Sequence, residues 1–218
     1  GATTEPFGRG VVVAVSPDGG TYATPAVTPD ALAILLTETR LGSSGGGGAS
    51  QRIVRGTRAD SAGTFGGFAP LGGLDGLGAV TNSPALARGG LVLYVTSGPS
   101  TTALTVRRGT RATLDAPFSD FTELPLGAPG DELSSPVPSD DDDVLFFSKR
   151  VPSTTKYALH VTRRTSPGGP FGTPRAVTEL QTNDQVFPSF VSRDLCRLYF
   201  SAGAAYPNLT SYVATRRP

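Results

Sequence analysis

The side chains able to do chemistry in this 218-residue chain are mainly arginines and aspartates, gathered at recurring places. Arg55, Arg58, Arg107, Arg108, Arg111, Arg163, Arg164, Arg216 and Arg217 lie near the ends of four strand-like segments, RIVRGTR, LTVRRGTR, LHVTRR and SYVATRR. Aspartates gather in short turns: Asp30, the run Asp140, Asp141, Asp142 and Asp143, and Asp194. In an antiparallel meander these strand ends and turns fall on one face, and two readings follow. One is solvated ion pairing between basic hairpins and acidic turns, worth little per pair. The other is an anion site for a sulfated or phosphorylated glycan or an acidic partner, built by Arg55, Arg108, Arg163 and Arg216.

The aspartate run carries its own pair of readings. A turn bearing Asp140, Asp141, Asp142 and Asp143 can chelate Ca²⁺ through carboxylate and carbonyl oxygens, and calcium is the one cofactor contemplated. The run lacks the alternating spacing and the glycine of a dedicated calcium loop, so a solvated turn competes with that reading. Asp131, Glu132 and Asp184 lie in connections facing one rim, where paired carboxylates would serve glycoside cleavage. Tyr22, Asn82, Tyr206 and Asn208 fall on the same loop face and suit adaptable polar contacts with a ligand. His160 is the single histidine and Cys196 the single cysteine, so neither a His/Cys zinc cluster nor an intrachain disulfide can be built. No G-x-S-x-G elbow is present, and no residue is assigned a catalytic role. Cys196, beside strand residues in RDLCRLYF, reads as a buried, inert thiol.

These groups need a scaffold, and the chain writes one four times. A proline precedes a short apolar stretch at Pro25, Pro84, Pro136 and Pro188, a period of about fifty residues that fits a propeller blade. Each repeat reads as four strands. The first carries the proline and the second is apolar (AILLT, LVLYVTS, VLFFS, RLYFS). The third ends in arginine, and the fourth is led by phenylalanine, as in FGGFAPL, FSDFTEL and FGTPRAVTEL. Proline cannot donate to a ladder, so its strand is placed at the innermost edge, facing a channel. Blades are expected over residues 22–72, 79–124, 132–180 and 185–217, forming a single all-β, four-bladed β-propeller. Residues 7–15, in EPFGRGVVVAV, match the fourth strand of a repeat and are expected to close the last blade.

The composition supports that architecture. Twenty-eight glycines, nineteen prolines and 17% charged residues fit many turns joining short strands. A net charge of +1 argues against a nucleic-acid binder. No run approaches the roughly 18 apolar residues of a membrane helix, so no membrane insertion is expected. The absence of methionine is read as a mature chain whose leader has been removed.

The blade pattern resembles the TolB-like propeller repeats of bacterial proteins. Pro170-Phe171-Gly172, Pro188, Asp194, Leu198-Tyr199-Phe200-Ser201 and Tyr212-Val213-Ala214-Thr215-Arg216 carry the likeness in the last repeat. Pro117-Phe118, Ser135-Pro136 and Leu145-Phe146-Phe147-Ser148 carry it in the third. Here the family's Asp-Gly turn becomes Arg88-Gly89-Gly90 in the second repeat and Asp140–Asp143 in the third. The resemblance implies a propeller common among secreted and periplasmic proteins, whose members range from peptidase-associated propellers to partner-binding modules. The expectation is an exported, non-enzymatic module, secreted, periplasmic or cell-surface, contacting a protein or glycan through its loop face. A small carbohydrate-active hydrolase or lyase and a structural subunit are the alternatives.

Overall fold

The computed structural model describes residues 21–40, 50–150, 153–154, 156–180, 185–204 and 208–216. They are nearly all β, in four antiparallel meanders. The first comprises β1 (Thr21–Val27), β2 (Ala33–Arg40), β3 (Ser50–Thr57) and β4 (Gly66–Pro70). The second comprises β5 (Val80–Ala87), β6 (Val92–Gly98), β7 (Thr105–Thr110) and β8 (Ser119–Glu123). The third holds β9 (Glu132–Pro138), β10 (Val144–Arg150), β11 (Ala158–Arg163) and β12 (Arg175–Ala176), and the fourth β13 (Gln185–Val191), β14 (Arg197–Gly203) and β15 (Thr210–Thr215). One parallel bridge, Gln51 with Val80, joins the first two meanders into a continuous sheet. The segment expected to close the last blade, residues 7–15, lies outside the described residues.

The strands form where β-branched and aromatic residues recur, because such side chains pack well on a pleated surface. The second strand of each meander is its apolar heart: Tyr94, Leu145 and Phe147 are fully buried. ALAILLTETR, which has some helical character, is strand from Ala33 onward. The phenylalanine-led strand of the third meander shrinks to two residues and one bridge, Arg164 with Phe171. Pro170 and Pro174 flank that bridge, and neither can donate to a ladder.

Each inner strand contains one extra residue beside its proline, a β-bulge. In the first three meanders the residue before the proline adopts positive φ: Thr24 at 48°, Ser83 at 51° and Ser135 at 49°. That conformation is costly for a residue with a Cβ, by about 1–3 kcal/mol each, and persists only where its surroundings enforce it. The turn from first to second strand is also repeated. Thr28, Ser139 and Ser192 hydroxyls donate to Asp30, Asp141 and Asp194, whose carboxylates also accept the backbone N–H of Leu32, Asp143 and Cys196. The residue after each aspartate is left-handed: Ala31, Asp142 and Leu195. Cys196 thus sits in a turn and is exposed, not buried, because strand β14 begins only at Arg197.

The meanders stack face to face, each burying one face on the next. Leu35 and Ile53 of the first pack with Leu93, Val95 and Phe118 of the second. Tyr94 and Val106 of the second pack with Leu145 and Phe147 of the third. Val137, Leu159 and Phe146 of the third pack with Leu198 and Phe200 of the fourth. Inner strands follow the same series, β1 on β5, β5 on β9 and β9 on β13, and no contact of that extent joins β13 back to β1 among the described residues. The sheets therefore do not close into a ring there. The face of the fourth meander that would continue the series carries Phe190, Tyr199 and Val213, paired side by side and exposed.

Candidate functional site

The four bulged inner strands surround one open cavity of about 680 Å³. Pro25, Pro84, Pro136 and Pro188 all line it, as expected for prolines at an inner edge. Thr24, Ser83, Ser135 and Ser189 add a hydroxyl-bearing side chain from each strand, and Val27 and Phe190 stand exposed at the mouth. The charged groups on this wall are Asp140 and Arg193, which face each other at 3.7 Å and are well solvated. The left-handed residues before proline make this wall, so the strain and the cavity coincide. Functional clefts commonly hold backbone strain of this kind.

Of the carboxylates expected at the loop rim, Asp131 and Glu132 are each paired with a basic side chain. Glu132 is buried; it receives Arg150 Nε at 3.1 Å, Arg150 Nη2 and the Tyr157 hydroxyl. Burial, together with that carboxylate, pushes the Tyr157 phenol up to about 12. Asp131 pairs with Lys149 at 3.2 Å and accepts the Ala128 N–H. Burial would raise its pKa, but these bonds outweigh that and hold it below the ordinary value. Glu38 in the first meander repeats the arrangement with Arg40 and Arg52 at 3.0 and 2.7 Å. Asn82 is held between Thr96 and Gln51, Tyr22 packs on Phe68, and Asn208 is exposed beside Gly203. Tyr22, Asn82 and Glu132 lie on the inner strands of three successive meanders, β1, β5 and β9. Asp184 and Tyr206 lie outside the described residues. His160 stacks on Phe147, its Nδ1 faces the Ala158 carbonyl, and burial lowers its pKa.

The arginines separate into different roles. Arg58, Arg111 and Arg164 are structural equivalents. Each donates Nε to a carbonyl of the first turn (Ala31, Gly90, Asp142) and Nη1 to a carbonyl of the last turn (Gly63, Leu114, Gly169). Each also stacks on the phenylalanine leading the outer strand, 4.2–4.5 Å from the ring centre of Phe65, Phe118 or Phe171. The four assigned to anion binding are not gathered into one ring. Arg55 lies in a groove between the first two meanders, and Arg163 and Arg216 in another between the last two. Arg108 is tied to Asp142, between the second and third.

The four aspartates likewise serve four different contacts. Asp140 faces Arg193 at the cavity mouth, Asp141 holds its own turn, and the Asp143 carbonyl accepts Arg164 N–H. Asp142 is buried; its Oδ2 accepts Arg108 Nη2 at 2.7 Å and Arg164 Nη2 at 2.8 Å, and its Oδ1 accepts the Tyr94 hydroxyl. Burial and that carboxylate hold the Tyr94 phenol far above the usual range. Among the described residues no group of three or more His, Cys, Asp or Glu side chains is placed to hold a metal. Phe190, Arg193, Thr24 and Ser83 were not singled out in the sequence, and Ser135 was read only as part of the repeat. Their signal was adjacency to the repeated proline.

No protein-family model matches the sequence, and no curated protein matches it. Solved structures do match in shape. A putative TolB from Agrobacterium tumefaciens aligns over 90% of this chain and 58% of its own, with TM-score 0.57 and 11% identity. An endo-arabinase from Bacteroides thetaiotaomicron aligns over 94% of this chain and 79% of its own, with TM-score 0.57 and 15% identity. A puromycin-hydrolyzing peptidase from Mycobacterium tuberculosis aligns over 90% of this chain and only 30% of its own, with TM-score 0.54 and 16% identity. The chain thus spans less than two thirds of the peptidase and of the TolB protein. At these identities the likeness is one of architecture, and the architecture of this chain is that of a TolB-like β-propeller.

Proposed function

We propose that this chain is a non-enzymatic binding module, exported from the cell, that takes a polypeptide segment of a partner protein into its central cavity. The observation carrying this reading is the cavity wall: five prolines and four hydroxyl side chains, with Val27, Phe190 and one solvated ion pair at the mouth. Such a surface suits an apolar side chain flanked by backbone hydrogen bonding, more than the polar face of a glycan. The rim carboxylates Asp131 and Glu132 are saturated by Lys149 and Arg150, which removes them from acid–base work. The same reading includes four blades about the cavity, with residues 7–15 adding the fourth strand of the last blade. All four inner strands lining one space supports it, as does the recurrence of Pro6-Phe7-Gly8 as Pro170-Phe171-Gly172.

The test is selection of a displayed random-peptide library against the protein and against Val27→Trp, which places an indole at the exposed mouth. Enrichment of peptides sharing an apolar residue, lost on the tryptophan variant, is the expected result. Failure to enrich any peptide, or binding indifferent to the plug, overturns the reading. Carbohydrate cleavage is the second reading, favoured by the shape shared with an endo-arabinase. Turnover of arabinan that disappears in Asp140→Asn, the carboxylate on the described cavity wall, would establish it instead.

A further inference from the structure

We propose that the seam between the first and second meanders is a carboxylate-binding site, formed by Arg55 and Arg111 around the position where Gly90 has no side chain. The molecule supplies its own template one seam further on. There Asp142 places a single carboxylate oxygen between Arg108 Nη2 and Arg164 Nη2, at 2.7 and 2.8 Å. The residues correspond through the backbone. Arg55 is paired with Leu35 as Arg108 is with Tyr94. Arg111 donates its backbone N–H to Leu91 and its Nε to Gly90, as Arg164 does to Asp143 and Asp142. Gly90 and Asp142 are both left-handed, with φ of 86° and 68°.

The local geometry places the missing group. A Cβ built on Gly90 would lie 3.4 Å from Arg111 Nη2 and Pro29 Cδ and 3.2 Å from Leu114 Cδ2, so a carboxylate attached there would meet that guanidinium beside the Leu114 side chain. Arg55 and Arg111 line one groove of about 360 Å³, together with Thr57, Gly72 and Pro117. Neither makes an ion pair among the described residues. Arg55 is exposed and makes no side-chain hydrogen bond, whereas Arg111 keeps its two carbonyl bonds and its stack on Phe118. Asp115 also lines the groove, and the Asp30 carboxylate is held by Thr28 and Leu32. The desolvated guanidinium of Arg111, with Arg55 nearby, has its pKa lowered, as expected for two cations facing one space. Two guanidinium groups lining one groove can recognise a carboxylate by charge and by planar geometry. The occupant is a carboxylate, either of a free dicarboxylic acid or of an aspartyl side chain in a polypeptide. This site is separate from the central cavity and does not depend on what that cavity binds.

The test follows the Arg Nε–H resonances during titration with sodium succinate and, separately, with the blocked tripeptide acetyl-Gly-Asp-Gly-amide. A saturable shift at Arg111 is expected in the native protein. Arg55→Gln should weaken it roughly tenfold or more, since a charge-assisted bond is lost. Gly90→Asp should abolish it, because the new side chain takes the ligand's place; aspartate tolerates left-handed backbone. Val27→Trp should leave the shift unchanged. Response to succinate alone assigns a small acid, and response to the tripeptide assigns a partner's side chain; either supports the site. No saturable shift with either probe, or equal binding by Arg55→Gln, overturns it. Arg55 is exposed, so that variant carries the test even where Gly90→Asp fails to fold.

Discussion

The seam between the second and third meanders and the seam between the third and fourth use the same backbone positions for opposite chemistry. In the first of these, Tyr94, Arg108 and Asp142 meet as a buried, charged cluster that also takes in Arg164. In the second, the corresponding Phe146, Val161 and Leu195 are apolar, and they line a cleft that Arg163, Arg175 and Arg216 also border. Leu195 adopts φ of 57° where Asp142 adopts 68°, so the fold imposes the backbone and leaves the chemistry to the side chain. The difference teaches that the repeat specifies a joint, and that the joint can be closed by charge or by apolar contact. Where charge is used, each group depends on its partners; a buried carboxylate deprived of its cations, or the reverse, is far more costly than a missing methyl group.

That dependence gives the largest expected effect. Asp142→Ala leaves Arg108 and Arg164 without their anion and should cost about 3–5 kcal/mol in urea-unfolding stability. Replacing three of its members in the manner of the other seam, Tyr94→Phe with Arg108→Val and Asp142→Leu, should recover part of that loss, Arg164 keeping its two carbonyl bonds and its stack on Phe171. An equal loss in the triple variant would show that the two seams are not interchangeable. Next in size is Phe146→Ala; the side chain is partly buried, so the cost should be about 1–2 kcal/mol, below the value of full burial. Raising salt from 0.05 to about 0.5 M (which shortens the screening length several-fold) should change the Asp142→Ala difference more than the Phe146→Ala one. Equal salt sensitivity would break the comparison.

The smallest effect is with pH. Glu38 and Asp131 are partly desolvated, which alone would raise their pKa values, yet their basic partners bring both below the ordinary 4.5 and 3.8. A carboxylate with a lowered folded-state pKa contributes stability above its ordinary value and loses it as pH falls through the folded value. His160, lowered by burial, acts in the same direction: the unfolded chain takes up its proton first, below the ordinary 6.5. Melting temperature should therefore begin to fall below about pH 6.5 and fall faster below about pH 4.5. In Glu38→Gln the steeper part should flatten. A flat profile between pH 7 and 3 would count against both assignments.

Much of the fold was legible because it rests on local signals. Pro25, Pro84, Pro136 and Pro188 marked the inner strands, since a residue that cannot donate is tolerated only at an edge or bulge. The Thr/Ser-x-Asp turns were legible for the same reason: hydroxyl, carboxylate and backbone N–H lie within five residues. Partnerships were not legible. Nine arginines crowd the strand ends, and nothing local tells Arg108, which bonds an aspartate 34 residues away, from Arg55, which bonds none. The partners of the rim carboxylates Asp131 and Glu132 were not legible for a related reason. Glu132 meets Tyr157 and Arg150 only when three segments are brought together.

By itself, the sequence determined that strands would form, where they would turn and which edge would face inward, because hydrophobic period, proline and turn chemistry act over a few residues. Only the tertiary structure decided which charges were neutralised, that the four inner strands enclose one cavity, and that Arg55 and Arg111 share a groove with no acid bonded to either. These outcomes depend on the stacking of one meander on the next, and stacking is a relation between surfaces distant in the chain.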